Sequence, residues 1–447
     1  MIAPFLAATV FALCPIQEQK SIYNQVVKQP NPNNGYEDYI RAADLLHGDN
    51  FSVYVNWSPN DYEDRLARKR EASNQKGDVT GFWSNADEAQ LQLSLKIRDL
   101  GFLGVQRRIV AEYGRALDLV RAGNQKAVWD PREKQDGAAL FPEYAGFRSV
   151  AKLFRADAYV RFADGNSKGG TTDLLQGLTF ARRIGGNNLI SELVSLTCRA
   201  IVLASFEEQL PRLSERDAGQ IVSYVDAALA EPDSYARALQ GDRDFMIAGT
   251  EQMFKDPKGW GIGIQEGDPP GVPDYMAKMS PRERDLARAG FARGLTDFFA
   301  KILAKLNQDE STWASAKADD DPPPMPAAVN SVQDLVDVLV RTFVPDFDTV
   351  TVSELRARAQ LRLLGLHARV IDFRWKNNRL PKELKEAVPE KLLLDPMGGE
   401  AFHYELTDGG YKLYSKGLPT TGPIELRYRR PANLPVRDDK DIPPEGE

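Results

Sequence analysis

Leu189-Ile190-Ser191-Glu192-Leu193-Val194-Ser195-Leu196-Thr197-Cys198-Arg199-Ala200-Ile201-Val202-Leu203-Ala204-Ser205-Phe206 sets the fold class of this chain. Leu193, Leu196, Ala200, Leu203 and Ala204 fall on one side of a helix, and Ile190, Val194 and Ile201 on another. Apolar residues nearly all round predict a central helix, packed on several faces and running to Leu210. Helical periodicity continues on either side of it. Upstream, Tyr36 to Leu46, Ala86 to Leu100, Val105 to Ala122, Tyr144 to Ala163 and Asp173 to Ile184 each read as helices. Asn85 is placed to cap the second of these. Thr172 is placed to cap the last, after Gly169-Gly170 breaks the chain. Downstream, Ser214-Glu215-Arg216-Asp217 has the spacing of a capping box. Ser234 to Met253, Pro281 to Leu306 and Ser331 to Thr342 continue the pattern. Short turns such as Gly185-Gly186-Asn187-Asn188 join the helices into an array of α-hairpins. No constant period runs through them, so the array is repeat-like without being a named repeat.

The end of the chain changes character. Val352 to Trp375 reads as one long helix, with Leu355, Ala359, Leu363, Leu366, Val370 and Phe373 at three- and four-residue steps. Asn377-Asn378 ends it. Ala401 to Leu406 and Tyr411 to Ser415 follow, with Asp408-Gly409-Gly410 between them, a strong hairpin signal. The fold class is therefore mainly α: a helical-hairpin, repeat-like array, then a long helix and a small antiparallel β-unit. Residues 30–345 form the helical domain. An irregular, aromatic-rich insert at about 50–84 and Gly/Pro-rich loops at 256–279 and 318–327 interrupt it. Residues 351–428 form the helix-plus-β unit, and the charged, proline-rich residues 429–447 a disordered tail. Residues 1–20 read as a signal peptide, because Ile2 to Cys14 is a short apolar run of mostly small residues. The competing reading is a buried N-terminal strand or helix.

Composition narrows the function classes. A chain of 447 residues, 42% hydrophobic, supports two or three folded units at roughly 150 residues each. The net charge of -7 and pI of 5.4 leave no broad positive field for a phosphate backbone, so no nucleic-acid partner is expected. No internal apolar run is expected to reach the roughly 20 residues of a bilayer span. Cys14 and Cys198 alone exclude a disulfide framework and a cysteine-rich metal site, and Cys198 reads as a small buried hydrophobe. His47, His367 and His403 lie far apart, without metal-ligand spacing. His367 and His403 would approach each other only across the helix–sheet contact. Gly259-Trp260-Gly261-Ile262-Gly263 has no strand before it and no G-K-[ST] after it, and no G-x-S-x-G elbow occurs. No catalytic residue, metal or cofactor is assigned.

One segment has the composition of a binding surface. Tyr54, Trp57, Tyr62 and Trp83, with Phe51 and Phe82, interleave with polar residues between Asn50 and Ser84. Aromatic rings supply contact area and polar neighbours supply orientation, which suits a carbohydrate or peptide ligand. The competing reading has the same rings closing one end of the helical core.

Four short elements near the end carry a resemblance. They are Asn378-Arg379-Leu380-Pro381, Leu394-Asp395-Pro396-Met397-Gly398-Gly399, Phe402-His403-Tyr404 and Gly410-Tyr411-Lys412-Leu413-Tyr414-Ser415-Lys416-Gly417. In this order they resemble the globular part of type II secretion major pseudopilins, over about a fifth of the chain. The resemblance implies a helix packed on a small sheet. It does not extend to the pseudopilin membrane anchor, because the equivalent helix is internal and carries Arg356, Arg358, Arg362, Arg369 and Asp372. Nor does it extend to the pseudopilin calcium site, because the loop Leu418-Pro419-Thr420-Thr421-Gly422-Pro423 has no carboxylate. Tyr36 to Leu46, Leu174 to Phe206 and Ala238 to Phe245 are also similar to large bacterial proteins of planctomycete-like lineages, which imply no particular activity.

The expected function is an exported, non-catalytic binding or structural module, periplasmic or at the cell surface, with a protein or polymer of the envelope as ligand. An envelope hydrolase or other enzyme with its site between the helical domain and residues 50–84 is the first alternative. A cytoplasmic scaffold is the second.

Overall fold

The computed structural model describes residues 21–47, 49–55, 61–74, 84–132, 140–232, 234–255, 272–313, 322–344, 347–407 and 410–426. The signal-peptide reading, Trp57, Trp83, most of the 256–279 loop and the 429–447 tail fall outside the described residues.

The helices are α1 (Ile22–Val26), α2 (Gly35–Leu45), α3 (Asp49–Val55), α4 (Asp61–Asn74), α5 (Asn85–Ile97), α6 (Gly101–Gly123), α7 (Glu143–Ala163), α8 (Ser167–Arg183), α9 (Leu189–Gln209), α10 (Glu215–Ala230), α11 (Ser234–Lys255), α12 (Val272–Lys278), α13 (Pro281–Leu306), α14 (Val332–Phe343) and α15 (Phe347–Asn377). Local chemistry opens several of them. Ser214 with Asp217 and Ser280 with Glu283 form capping boxes, and Pro281 takes the first helical position. Ser84, rather than Asn85, caps α5, in a box with Asp87. Asn166, rather than Thr172, caps α8, six residues earlier than expected. The glycine pair does not break the chain. A Cβ on Gly170 would lie 2.6 Å from the Phe162 ring, so the glycine lets α8 start tight against the end of α7. The insert at 50–84 is likewise not irregular throughout, since α3 and α4 occupy much of it.

Consecutive helices α6, α7, α8 and α9 pack as hairpins, and α2 lies across α6 and α7. The hub is α7, which touches α2, α3, α6, α8 and α9. Aromatic rings fill this centre. Tyr36 meets Phe147 edge-on at 5.6 Å, Tyr39 meets Phe180 at 5.0 Å, and Phe147 meets Phe180 at 5.6 Å. The buried hydroxyls have partners: Tyr36 donates to Glu143 and Tyr39 to Asn124.

Helix α9 packs on α7, α8, α11 and α15, as a central helix should. Its apolar girdle is nevertheless incomplete, because Ile190 and Leu193 are 48% and 42% exposed. The buried side includes Glu192 and Arg199, paired at 2.6 Å. With its short extension, Leu189–Arg212 is long and apolar enough to cross a bilayer, contrary to the expectation from sequence. Most of it is buried among the other helices.

A second aromatic cluster joins α13 and α14 to the start of α15. Phe347 lies 5.7 Å from Phe298 and 5.3 Å from Phe299, and Phe291 meets Phe343 at 5.6 Å. Helix α15 then runs along α9 and α10. Arg369 holds Asp226 of α10 with two bonds of 2.6 and 2.7 Å, and the Trp375 indole donates to the Leu213 carbonyl. Asn378, at φ 53°, ends the helix.

The small sheet is antiparallel, in the order β1 (His403–Thr407), β2 (Gly410–Ser415), β3 (Ile424–Glu425). Tyr404 pairs with Leu413 and His403 with Tyr414. Strand β3 was not apparent from sequence. Tyr411, Leu413 and Ser415 are buried on the α15 side, as strand alternation requires. The two histidines do not meet. His367 of α15 lies under the sheet, 2.9 Å from the Tyr411 hydroxyl, whereas His403 stacks on Tyr414 on the opposite face.

Candidate functional site

The aromatic residues named from sequence do not form one surface where they are described. Tyr54 on α3 is buried, 6.5 Å from the Tyr113 ring of α6. Phe51 packs edge-on against the same tyrosine at 5.0 Å. Tyr62 on α4 is half-buried and carries the Arg98 guanidinium over its ring at 5.0 Å. Each ring has a partner within the fold. Trp57 and Trp83 lie outside the described residues.

A cleft lies elsewhere, where the helical body meets the C-terminal unit. It holds about 330 Å³ and is lined by Asp309, Glu310, Arg362, Lys391, Leu394 and Asp395, among others. One wall is the turn after α13. Asp309 opens it by accepting from the Ser311 amide and hydroxyl, and those bonds hold its carboxyl below the usual carboxylate range. The second wall is α15, which presents Arg362, with Arg358 one turn earlier behind it. The third is the Leu394-to-Gly399 turn, closed by Asp395, whose carboxylate accepts from the Met397 amide at 2.9 Å.

Glu310 is the hinge of the charge arrangement. One carboxylate oxygen takes Arg358 at 2.5 Å and the other takes Arg362 at 2.7 Å. Arg358 also lies over the Trp313 ring at 4.7 Å and holds Glu354 at 2.9 Å. Glu354 reaches Arg199 at 3.5 Å, and Arg199 reaches Glu192. Six alternating charges therefore run from the buried face of α9 to the floor of the cleft. Every carboxylate on this path has a cationic neighbour, which is what burial of charge demands. Lys391 forms no ion pair among the described residues.

A second charged cluster joins α6, α7 and α8. Arg121 bonds Asp157 and Asp173 at 2.7 Å each, and Arg161 bonds both as well. Burial, and then Asp157 beside it, push the Asp173 carboxyl up, with Arg121 opposing. The quartet ties three helices together.

Sequence reasoning did not find the cleft. Arg358 and Arg362 stood out only as charges barring a membrane helix, and the Leu394-to-Gly399 segment only as part of a resemblance. Glu310 had no signal at all, because its partners lie 48 and 52 positions away. Among the described residues no group of three or more His, Cys, Asp or Glu side chains is placed to hold a metal ion. No family model matches this sequence, and no curated protein and no solved structure matches it.

Proposed function

We propose that this protein is an exported, non-catalytic binding module of the cell envelope, and that its ligand enters the cleft between the helical body and the C-terminal β-unit. The observation that carries the reading is the state of the ionisable groups there. A general acid or base needs a group free to exchange its proton near the working pH. Glu310 spends both oxygens on guanidinium groups, and Asp309 is fixed as a carboxylate by Ser311. The wall presents oriented ion pairs and hydrogen bonds, which is what recognition needs. Export rests on the apolar run Ile2 to Cys14 and on the resemblance of the end of the chain to pseudopilins.

The test is co-sedimentation of the full chain with a washed envelope fraction, beside a variant that fills the cleft. Leu394 is exposed at the rim, so Leu394→Trp blocks access without touching the core. The wild type is expected in the pellet and the variant in the supernatant. Equal partition of the two, or recovery of a tagged copy only from the cytosol of intact cells, would overturn the reading.

A further inference from the structure

We infer that Arg358 and Arg362 form a carboxylate-binding site for an acidic peptide, and that Glu310 occupies it in the free protein as an internal substitute for the ligand. This rests on the cleft being the binding site. The geometry is that of a receptor already filled. Two guanidinium groups one helical turn apart share a single carboxylate, one oxygen each, at 2.5 and 2.7 Å. Arg358 is fixed from behind by Glu354 and from the side by the Trp313 ring. Arg362 is less encumbered: among the described residues it reaches, besides Glu310, the Leu394 carbonyl at 3.4 Å, and its Nε has no partner there.

The occupant sits on a light support. Glu310 belongs to a three-residue 3-10 turn, Glu310–Thr312, rather than to the body of a helix. That turn is itself a wall of the cleft. A glutamate or aspartate side chain arriving through the cleft passes the unpaired Lys391 ammonium and meets Arg362. Exchange of one carboxylate for another keeps a partner on the half-buried Arg362 guanidinium, while Arg358 retains Glu354 throughout. The other two carboxylates of the walls, Asp309 and Asp395, oppose an ion of higher charge such as phosphate more strongly than a singly charged carboxylate.

Self-occupation lowers the apparent affinity by the fraction of molecules in which Glu310 has left the site. Removing its charge should therefore tighten binding. The experiment uses the full chain and a fluorescent oligoglutamate peptide read by anisotropy, with an oligoglutamine peptide, inorganic phosphate and an oligogalacturonate as competitors. Glu310→Gln is expected to bind oligoglutamate at least about tenfold more tightly than the wild type. Adding Lys391→Ala should weaken that binding, and neither oligoglutamine nor phosphate should compete. Equal affinity of wild type and Glu310→Gln would overturn the inference, and so would preferential binding of oligogalacturonate. Should Glu310→Gln fail to fold, Lys391→Glu in the otherwise wild-type chain supplies the test. It lies on an exposed side chain, and unchanged oligoglutamate affinity in it would also overturn the inference. If envelope co-sedimentation still depends on Leu394 while oligoglutamate is ignored, the ligand class is wrong and the cleft stands. Loss of both sinks the two together.

Discussion

Asp242 shows what one residue can hold in place. Its carboxylate is buried where α11 crosses the start of α9, and its hydrogen bond from the Leu189 amide is long, at 3.4 Å. Burial pushes it up to about 6, with the Leu189 amide opposing. A carboxyl raised in the folded state adds stability below its unfolded value near 4, and that stability is lost as pH rises through about 6. Asp242→Asn should therefore raise the melting temperature at pH 7.5, by an amount equivalent to about 2 kcal/mol, and change it little at pH 4. Thermal melts of the two proteins at both pH values check this. The neighbouring Gly241 is irreplaceable for a different reason. A Cβ there would lie 1.8 Å from the Asn187 carbonyl oxygen, so Gly241→Ala should destabilise by about 3 kcal/mol in urea titration. His367 titrates in the opposite sense. Burial depresses it to about 3, so its contribution is whole above about pH 6.5 and is lost as pH falls. His367→Gln, compared with wild type between pH 7 and 4, should show the shallower decline in unfolding free energy. None of the three roles was legible in sequence. Gly241 and Asp242 stood in a noted run, Ala238 to Phe245, but their partners, Asn187 and Leu189, come from the turn into α9.

At the scale of elements, periodicity read the long helices well and the short ones poorly. The run from Val352 to Trp375 was visible because Leu355, Ala359, Leu363 and Leu366 repeat on one face, and all four are buried. Its first turns, from Phe347, were not, because their packing is aromatic and comes from α13. Helix α4 was missed because Asp61–Asn74 is almost wholly polar and carries no stripe to read. The hairpin of β1 and β2 was legible from its turn, whereas β3 is two residues long and exists only through its pairing with Tyr414 and Ser415. The sequence boundary near 345–351 also placed α15 with the sheet, and its packing is largely with the helical body. Leu363→Ala should therefore cost about 3 kcal/mol and lower the melting of the whole molecule. Far-UV circular dichroism and tyrosine fluorescence should report one shared transition; two separate transitions would show that α15 and the body fold apart.

At the scale of the molecule, one buried apolar cluster runs from Ile22 to Leu426 through almost every helix. That continuity explains why the composition gave the class and withheld the site. The hydrophobic pattern specifies which faces are hidden, but the cleft forms from two turns and one helix face that only the completed packing brings together. It also directs how the binding proposal must be examined: point changes at the rim respect the shared core, and deletion of the C-terminal unit does not. The rod at the centre of that unit has a mechanical meaning. Thirty-one residues of α15 span about 46 Å. The rod is tied along its length to Phe299, Glu310, Arg199, Asp226 and Leu213, with the sheet resting near its far end. A pull applied to the sheet along the rod loads these ties side by side, in shear, rather than one after another. Anchored by the helical body, such a molecule would bear tension between two attachment points with little extension until the whole core gives way.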